Sequence, residues 1–368
     1  MSSRAKKRSV CSALMTFVIV PLVAAIVMIP ILRTRQAGDS LLHIIPNALL
    51  FTSYREEARS FWNQFNNIDR SIKRAPIQIP IIDAKDYSFE SLRTATENFR
   101  YPAIVRGLFI GSNAEKRWTD PEYLSSRIGE FIIPVVSKAT YGTLQNEREL
   151  LPFRTAYTEI VEQEDSKKYL FFPVESRSNF NHSDVGSAKE LRKRINQVVR
   201  EDLDLDRIWP GFGGPNHKSF FGSQLVVGRG SNDSDATTGT GWHCAGGNNW
   251  FAQVTGRKRW YFMDPKYSSQ MYPLRGGKVN MQTGNRNMAE LHDHIPLRYS
   301  DVIAGDLLYN PDWEWHTIKN YEGLSIGVPI REVNISLSLQ NNLQYTLILL
   351  TNKVLDKFGI DIGGYPPS

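Results

Sequence analysis

The stretch Thr240-Gly241-Trp242-His243-Cys244-Ala245 sets a histidine in a short run opened by glycine. A second run, Gly305-Asp306-Leu307-Leu308-Tyr309-Asn310-Pro311-Asp312-Trp313-Glu314-Trp315-His316, closes on another. A strand turns successive side chains to opposite faces, so residues 243 and 245 share a face and Cys244 points away from it. Two histidines and one carboxylate on one face of a metal are the usual ligands of non-haem iron(II). Position 245, where the carboxylate would fall, is alanine. His243 and His316 are therefore read as metal ligands whose acidic partner is missing. Glu314 shares the face of His316 if that stretch is extended. It is either a replacement carboxylate reaching the metal from the other side or an exposed rim residue.

Working outward, short apolar runs alternate with Gly, Asn, Asp and Pro from Phe220 onward. Gln224–Val227, Trp250–Val254, Arg259–Met263, Leu307–Tyr309 and Ser325–Val328 are examples. Strands of this length and spacing predict a sandwich or barrel of the jelly-roll type. Upstream, Ile77–Ile82 reads as one strand, Ser88–Phe99 as a helix, and Pro102–Gly107 as a strand ended by glycine. Helical stretches near Glu122–Gly129 and Ala188–Glu201 flank this region. The expected class is mainly β, a double-stranded β-helix with flanking helices.

The N-terminal part has another character. Residues 12–32 carry no charge and are long enough to cross a bilayer as a helix. Arg4, Lys6, Lys7 and Arg8 precede them; Arg33 and Arg35 follow. These six account for the whole net charge of +6, because the other 38 basic residues balance the 38 acidic ones. The positive-inside rule places residues 1–11 in the cytosol and the rest across the membrane. A cleaved signal peptide is the rival, but its apolar core would be too long and no small-x-small site precedes Arg33. The expectation is a single-pass type II protein of the secretory pathway (ER or Golgi) with a lumenal domain. Sequons at Asn181, Asn232 and Asn334 are compatible with that location. Cys11 is either an acylation site beside the membrane or a plain apolar residue. A charge-balanced ectodomain argues against nucleic acid as a partner.

Residues 33–75 form a stem. Ser53-Tyr54-Arg55-Glu56 has the form of a capping box, and Ala58, Phe61, Trp62, Phe65, Ile68 and Ile72 recur at helical spacing. The main domain spans 76–340. The tail, 341–368, contains an apolar stretch, Leu343–Phe358, that predicts a helix packed on the body or pairing two copies into a homodimer.

The two histidine segments, their order and their gap resemble the JmjC and cupin-like family of Fe(II)- and 2-oxoglutarate-dependent oxygenases. The resemblance covers roughly residues 76–340, beginning at Pro102-Ala103-Ile104-Val105-Arg106-Gly107. In pattern it is nearest to the asparaginyl hydroxylases acting on hypoxia-inducible factor. It implies a metal at the mouth of the barrel and a 2-oxoglutarate site made by Thr240, Asn249 and Lys258, which match a threonine, an asparagine and a lysine of those hydroxylases. A buried lysine offers a compact cation to the distal carboxylate of the keto acid. Thr240 and Asn249 add neutral hydrogen bonds.

Departures from the pattern bear on activity. Ala245 removes a charged ligand, and Glu314 stands where the family usually has tryptophan. Pro329 falls where asparagine is common and Arg331 where tryptophan is common; Arg331 reads as holding an acidic group or as an exposed salt bridge. His292-Asp293-His294 reads as a solvated turn. The resemblance implies a membrane-anchored oxygenase using Fe(II) and 2-oxoglutarate to hydroxylate a polypeptide side chain with a two-histidine site. The aspartyl/asparaginyl β-hydroxylases are an analogy for such a site. The alternatives are a catalytically inactive binding or scaffold domain, or a halogenase with a halide at the vacant position.

Overall fold

The computed structural model describes residues 68–69, 71–136, 148–172, 188–208, 220–231, 238–271, 273–275, 280–283, 288–321 and 323–332. The expected cytosolic tail, the apolar segment 12–32, nearly all of the expected stem, the three sequons and the expected C-terminal helix lie outside them. Among the described residues no helix is long and apolar enough to cross a membrane.

Seventeen strands are described: β1 Ile77–Gln78, β2 Ile81–Asp83, β3 Ala103–Arg106, β4 Ile132–Val136, β5 Arg148–Pro152, β6 Tyr169–Phe172, β7 Phe220–Ser223, β8 Leu225–Gly230, β9 Gly239–Ala245, β10 Asn248–Thr255, β11 Arg257–Met263, β12 Pro273–Arg275, β13 Asn280–Thr283, β14 Leu297–Ile303, β15 Leu307–Asn310, β16 Trp315–Asn320 and β17 Gly323–Glu332. Six helices accompany them: α1 Phe89–Ala95, α2 Asn113–Arg117, α3 Pro121–Ile128, α4 Phe153–Glu162, α5 Ala188–Asp202 and α6 Met288–His292. One sheet runs β1-β14-β11-β16-β9-β13-β12; the other runs β2-β3-β15-β10-β17-β8-β6-β4-β5, with β7 also paired to β17. The fold is mainly β with a few helices, and two such sheets are consistent with a cupin or jelly roll.

The alternation of β11 shows how sequence builds this. Lys258, Trp260 and Phe262 are buried, while Arg257, Arg259 and Tyr261 are not. Trp260 and Phe262 join Ile79, Ile104, Phe251, Val302, Leu308 and Ile318 in a core drawn from both sheets. Burying a side chain such as Phe262 contributes about 2–3 kcal/mol. A larger core lies where the helices meet the second sheet and includes Trp118, Phe153, Tyr157, Trp250 and Tyr309.

Two elements differ from expectation. Ile77–Ile82 is two strands, because the break at Ile79-Pro80 carries the chain from one sheet to the other. β1 pairs in parallel with β14, and β2 in parallel with β3. Pro80 has no N–H for a ladder, but its carbonyl accepts from Ile104. The helix read as ending at Phe99 stops at Ala95, since Glu97, Asn98 and Phe99 take φ of 50°, 64° and 64°. That reversal lets Phe99 pack against Phe89 and Tyr309.

Asp306 is a fully buried anchor. Its carboxylate accepts from the backbone N–H of Gly107 and of Ile303 and pairs with Arg106 at 3.0 Å. The early Arg-Gly and the late Gly-Asp are thus halves of one junction, set just before the strand leading to His316.

Gly256 passes the chain from β10 in one sheet to β11 in the other, at φ +73°. A Cβ there would lie 2.2 Å from the Leu324 carbonyl oxygen. Gly256→Ala is expected to destabilise the domain by about 2–3 kcal/mol, from left-handed strain plus the clash. Urea denaturation measures it.

Candidate functional site

His243 on β9 and His316 on β16 are directly paired in register. Their ring centroids are 4.2 Å apart. His243 Nδ1 lies 2.8 Å from the Gly241 carbonyl, and His316 Nδ1 lies 2.8 Å from the Glu314 carbonyl. Carbonyls only accept, so each Nδ1 carries the proton and each Nε2 keeps its lone pair. Trp260 stacks on His316 at 5.4 Å. Burial holds both imidazoles neutral. His243 is lowered to about 4 by burial, with Arg331 adding to the effect. His316 is pushed well below its ordinary value by burial, by His243 and by Arg331.

The two rings open on a small cavity between the sheets. Thr240, Asn249 and Lys258 line the same cavity. Lys258 is fully buried and donates to Asn320 Oδ1. Asn320 in turn donates to Thr238. Burial alone brings the Lys258 amine down to about 7. Thr240 Oγ1 and Asn249 Oδ1 are buried without a hydrogen-bond partner. Unmatched buried polar atoms cost about 1–3 kcal/mol each; the Thr240 hydroxyl can donate to an anion, whereas Asn249 Oδ1 only accepts unless the amide turns to present its N–H.

Sequence reasoning missed Tyr169 and Trp260 among the lining side chains and left Arg331 between two readings. Tyr169 comes from β6, a strand with no motif at fixed offset from the histidines. Gly228 makes room for it, since a Cβ there would lie 2.3 Å from the ring. Trp260 lines the cavity with its indole N–H unpaired; the alternation of β11 could have found it. Arg331 also lines the cavity. It sits opposite Asn249 across β10 and β17. Part of its surface stays accessible, yet protein encloses it and lowers its pKa to about 10. Among the described residues no carboxylate pairs with it, so the exposed salt bridge is corrected to a guanidinium facing the histidines' cavity.

Glu314 is not brought to the histidines. It is buried, absent from the cavity wall, and 3.8 Å from Arg298. The turn at Asp312-Trp313, with Trp313 at φ 61°, precedes it and breaks the extended geometry that would align it with His316. Among the described residues no group of three His, Cys, Asp or Glu side chains could hold a metal. His292, Asp293 and His294 also diverge. His292 packs edge-on against Tyr261 at 4.7 Å, so it is half-buried rather than solvated. Asp293 lies 3.8 Å from Lys73, and His294 Nδ1 meets the Ile72 carbonyl.

A family profile described as "Cupin-like domain" matches residues 91–331, more than half of the chain. The chain belongs to the cupin-like domain family. A curated relative, JmjC domain-containing protein D of Dictyostelium discoideum, is 23% identical over 228 residues. The match covers 56% of this chain and 45% of the relative, so this cupin-like protein spans under half of that protein's length.

The family's two small partners fit this domain unequally. A 2-oxoglutarate carboxylate fits: Lys258 supplies charge, the Thr240 hydroxyl can donate, and Asn249 donates once its amide is turned. Fe(II) does not fit the ligand set. Ala245 offers no donor, no acidic side chain lines the cavity among the described residues, and Arg331 puts a positive charge on the same wall. A divalent ion there would meet like charge where it needs a carboxylate.

Proposed function

We propose that this protein is an oxygenase-like binder of 2-oxoglutarate or a close dicarboxylate, with its metal half degraded. The observation that carries this reading is that Lys258, Thr240 and Asn249 line one cavity in which no described residue places a carboxylate. Lys258 and the two neutral groups hold the distal carboxylate. Tyr169 and the apolar wall exclude water, which strengthens each of those bonds. The uncharged segment 12–32 and its basic flanks support attachment to a membrane with the domain on the lumenal side. A polypeptide is the expected macromolecular partner, and the apolar C-terminal stretch is a candidate homodimer contact.

A second reading is hydroxylation of a polypeptide side chain with iron on the two histidines. One observation favours it: both imidazoles commit Nδ1 to a backbone carbonyl and leave Nε2 as a ligating atom. Two assays separate the readings. Addition of 2-oxoglutarate at a hundred times its Kd should stabilise the full chain by roughly 2.7 kcal/mol, read as a rise in Tm in EDTA. Succinate should not be released with Fe(II), 2-oxoglutarate and oxygen across candidate peptides. Peptide-dependent succinate release would favour the hydroxylase; no Tm change would remove the binding reading.

A further inference from the structure

We propose that Arg331 replaces the missing metal, so that the cavity grips both ends of a dicarboxylate without a divalent ion. Lys258 takes one carboxylate and Arg331 the other. This rests on the ligand class proposed above but assigns a role to a residue outside the cosubstrate positions.

The placement of the two cations carries the inference. Lys258 stands on β11 in one sheet and Arg331 on β17 in the other, and both line the cavity between the sheets. A ligand that met both would span the gap, with an anionic group at each end. Neither cation has an acidic partner among the described residues; Lys258 has a single hydrogen bond, to the neutral Asn320. Holding an enclosed guanidinium and an enclosed ammonium with no anion among the described residues is costly, and a dianion relieves it. The histidines do not, because they are neutral.

Chemistry at the Arg331 end suits a carboxylate. A guanidinium presents a planar fork that binds both carboxylate oxygens. Asn249, opposite Arg331 in register, lines the same cavity, which fixes the Arg331 side of β17 as the inward one. The unpaired indole N–H of Trp260 is a further donor on the wall. With a metal, the second carboxylate of a keto acid would be a metal ligand; here Arg331 provides the countercharge directly.

The test is calorimetric titration of the full chain in EDTA with 2-oxoglutarate, glutarate and pentanoate, repeated with Mn(II). The unsubstituted protein should bind 2-oxoglutarate and glutarate in EDTA, and pentanoate, lacking the second carboxylate, about 10–100-fold more weakly. Arg331→Gln should weaken glutarate binding by a similar factor, and Arg331→Lys should recover part of it. Equal affinity for glutarate and pentanoate would overturn the clamp, and so would an absolute requirement for Mn(II). Arg331→Gln binding like the parent, while Lys258→Met does not bind, would also overturn it and leave the proposed ligand class standing. Failure of all three ligands to bind, with or without Mn(II), would remove both. The comparison of glutarate with pentanoate needs no substitution, so it tests the clamp even if a variant does not fold.

Discussion

Lys258→Met is expected to lower 2-oxoglutarate affinity by at least about 30-fold and, in the same protein, to raise ligand-free stability at pH 7. Truncating one partner of a buried, hydrogen-bonded charge pair costs about 2–5 kcal/mol, which supplies the first effect. The second follows from burial. The folded Lys258 amine titrates near 7, below the ordinary value of about 10.4 for an unfolded lysine. Between those values the unfolded chain holds a proton that the folded chain has released, so stability rises with pH across that window. Below pH 7 both states are protonated and the cost of burying the charge is fully present. The rise is on the order of 4 kcal/mol. Urea denaturation at several pH values should show it in the parent and lose it in Lys258→Met. Unchanged affinity in the variant would contradict the role given to this lysine.

The same titration gives a binding signature. At pH 8 the empty cavity holds a mostly neutral lysine, and a carboxylate draws a proton onto it. Other groups facing the cavity stay silent. His243, lowered to about 4, and His316, lower than its ordinary value, remain neutral. Burial raises Tyr169, which stays protonated, and Arg331, near 10, stays charged. Uptake of close to one proton per ligand, read by calorimetry in buffers of different ionisation enthalpy, is therefore expected at pH 8.

Ala245→Asp is expected to tighten Mn(II) or Fe(II) binding at least about 100-fold over the parent, more than the 10–100-fold that second-layer partners of metal ligands contribute. The backbone is already set for it. Ala245 ends β9 half-buried, and its carbonyl accepts from Trp313 N–H at 2.8 Å. The adjacent Gly246 leaves room for the Trp313 ring, which a Cβ would approach to 2.9 Å. Adding Arg331→Asn should tighten the metal further, by removing like charge from the wall. Parent protein that already bound Mn(II) as tightly as Ala245→Asp would show that two imidazoles suffice.

Much of this was legible in sequence because strands impose a period of two. That period put His243 and the alanine at 245 on one face and turned Cys244, which is absent from the cavity wall, to the other. Lys258 came instead from the family resemblance. What sequence hid depended on contacts far apart in the chain. Tyr169 reaches the site through a pairing of β6 with β8, which no local pattern announces. Arg331 looked like a surface residue because arginine usually is one; only its pairing opposite Asn249 shows that it faces inward. Glu314 looked like a ligand because its spacing to His316 suits a strand, but the turn at Trp313 removes that geometry.

Titrating 2-oxoglutarate into the full chain with EDTA present decides whether this cavity holds a dicarboxylate without a metal. Saturable binding near one ligand per chain, with proton uptake at pH 8, is the expected result. Binding seen only after Fe(II) or Mn(II) is supplied would contradict it.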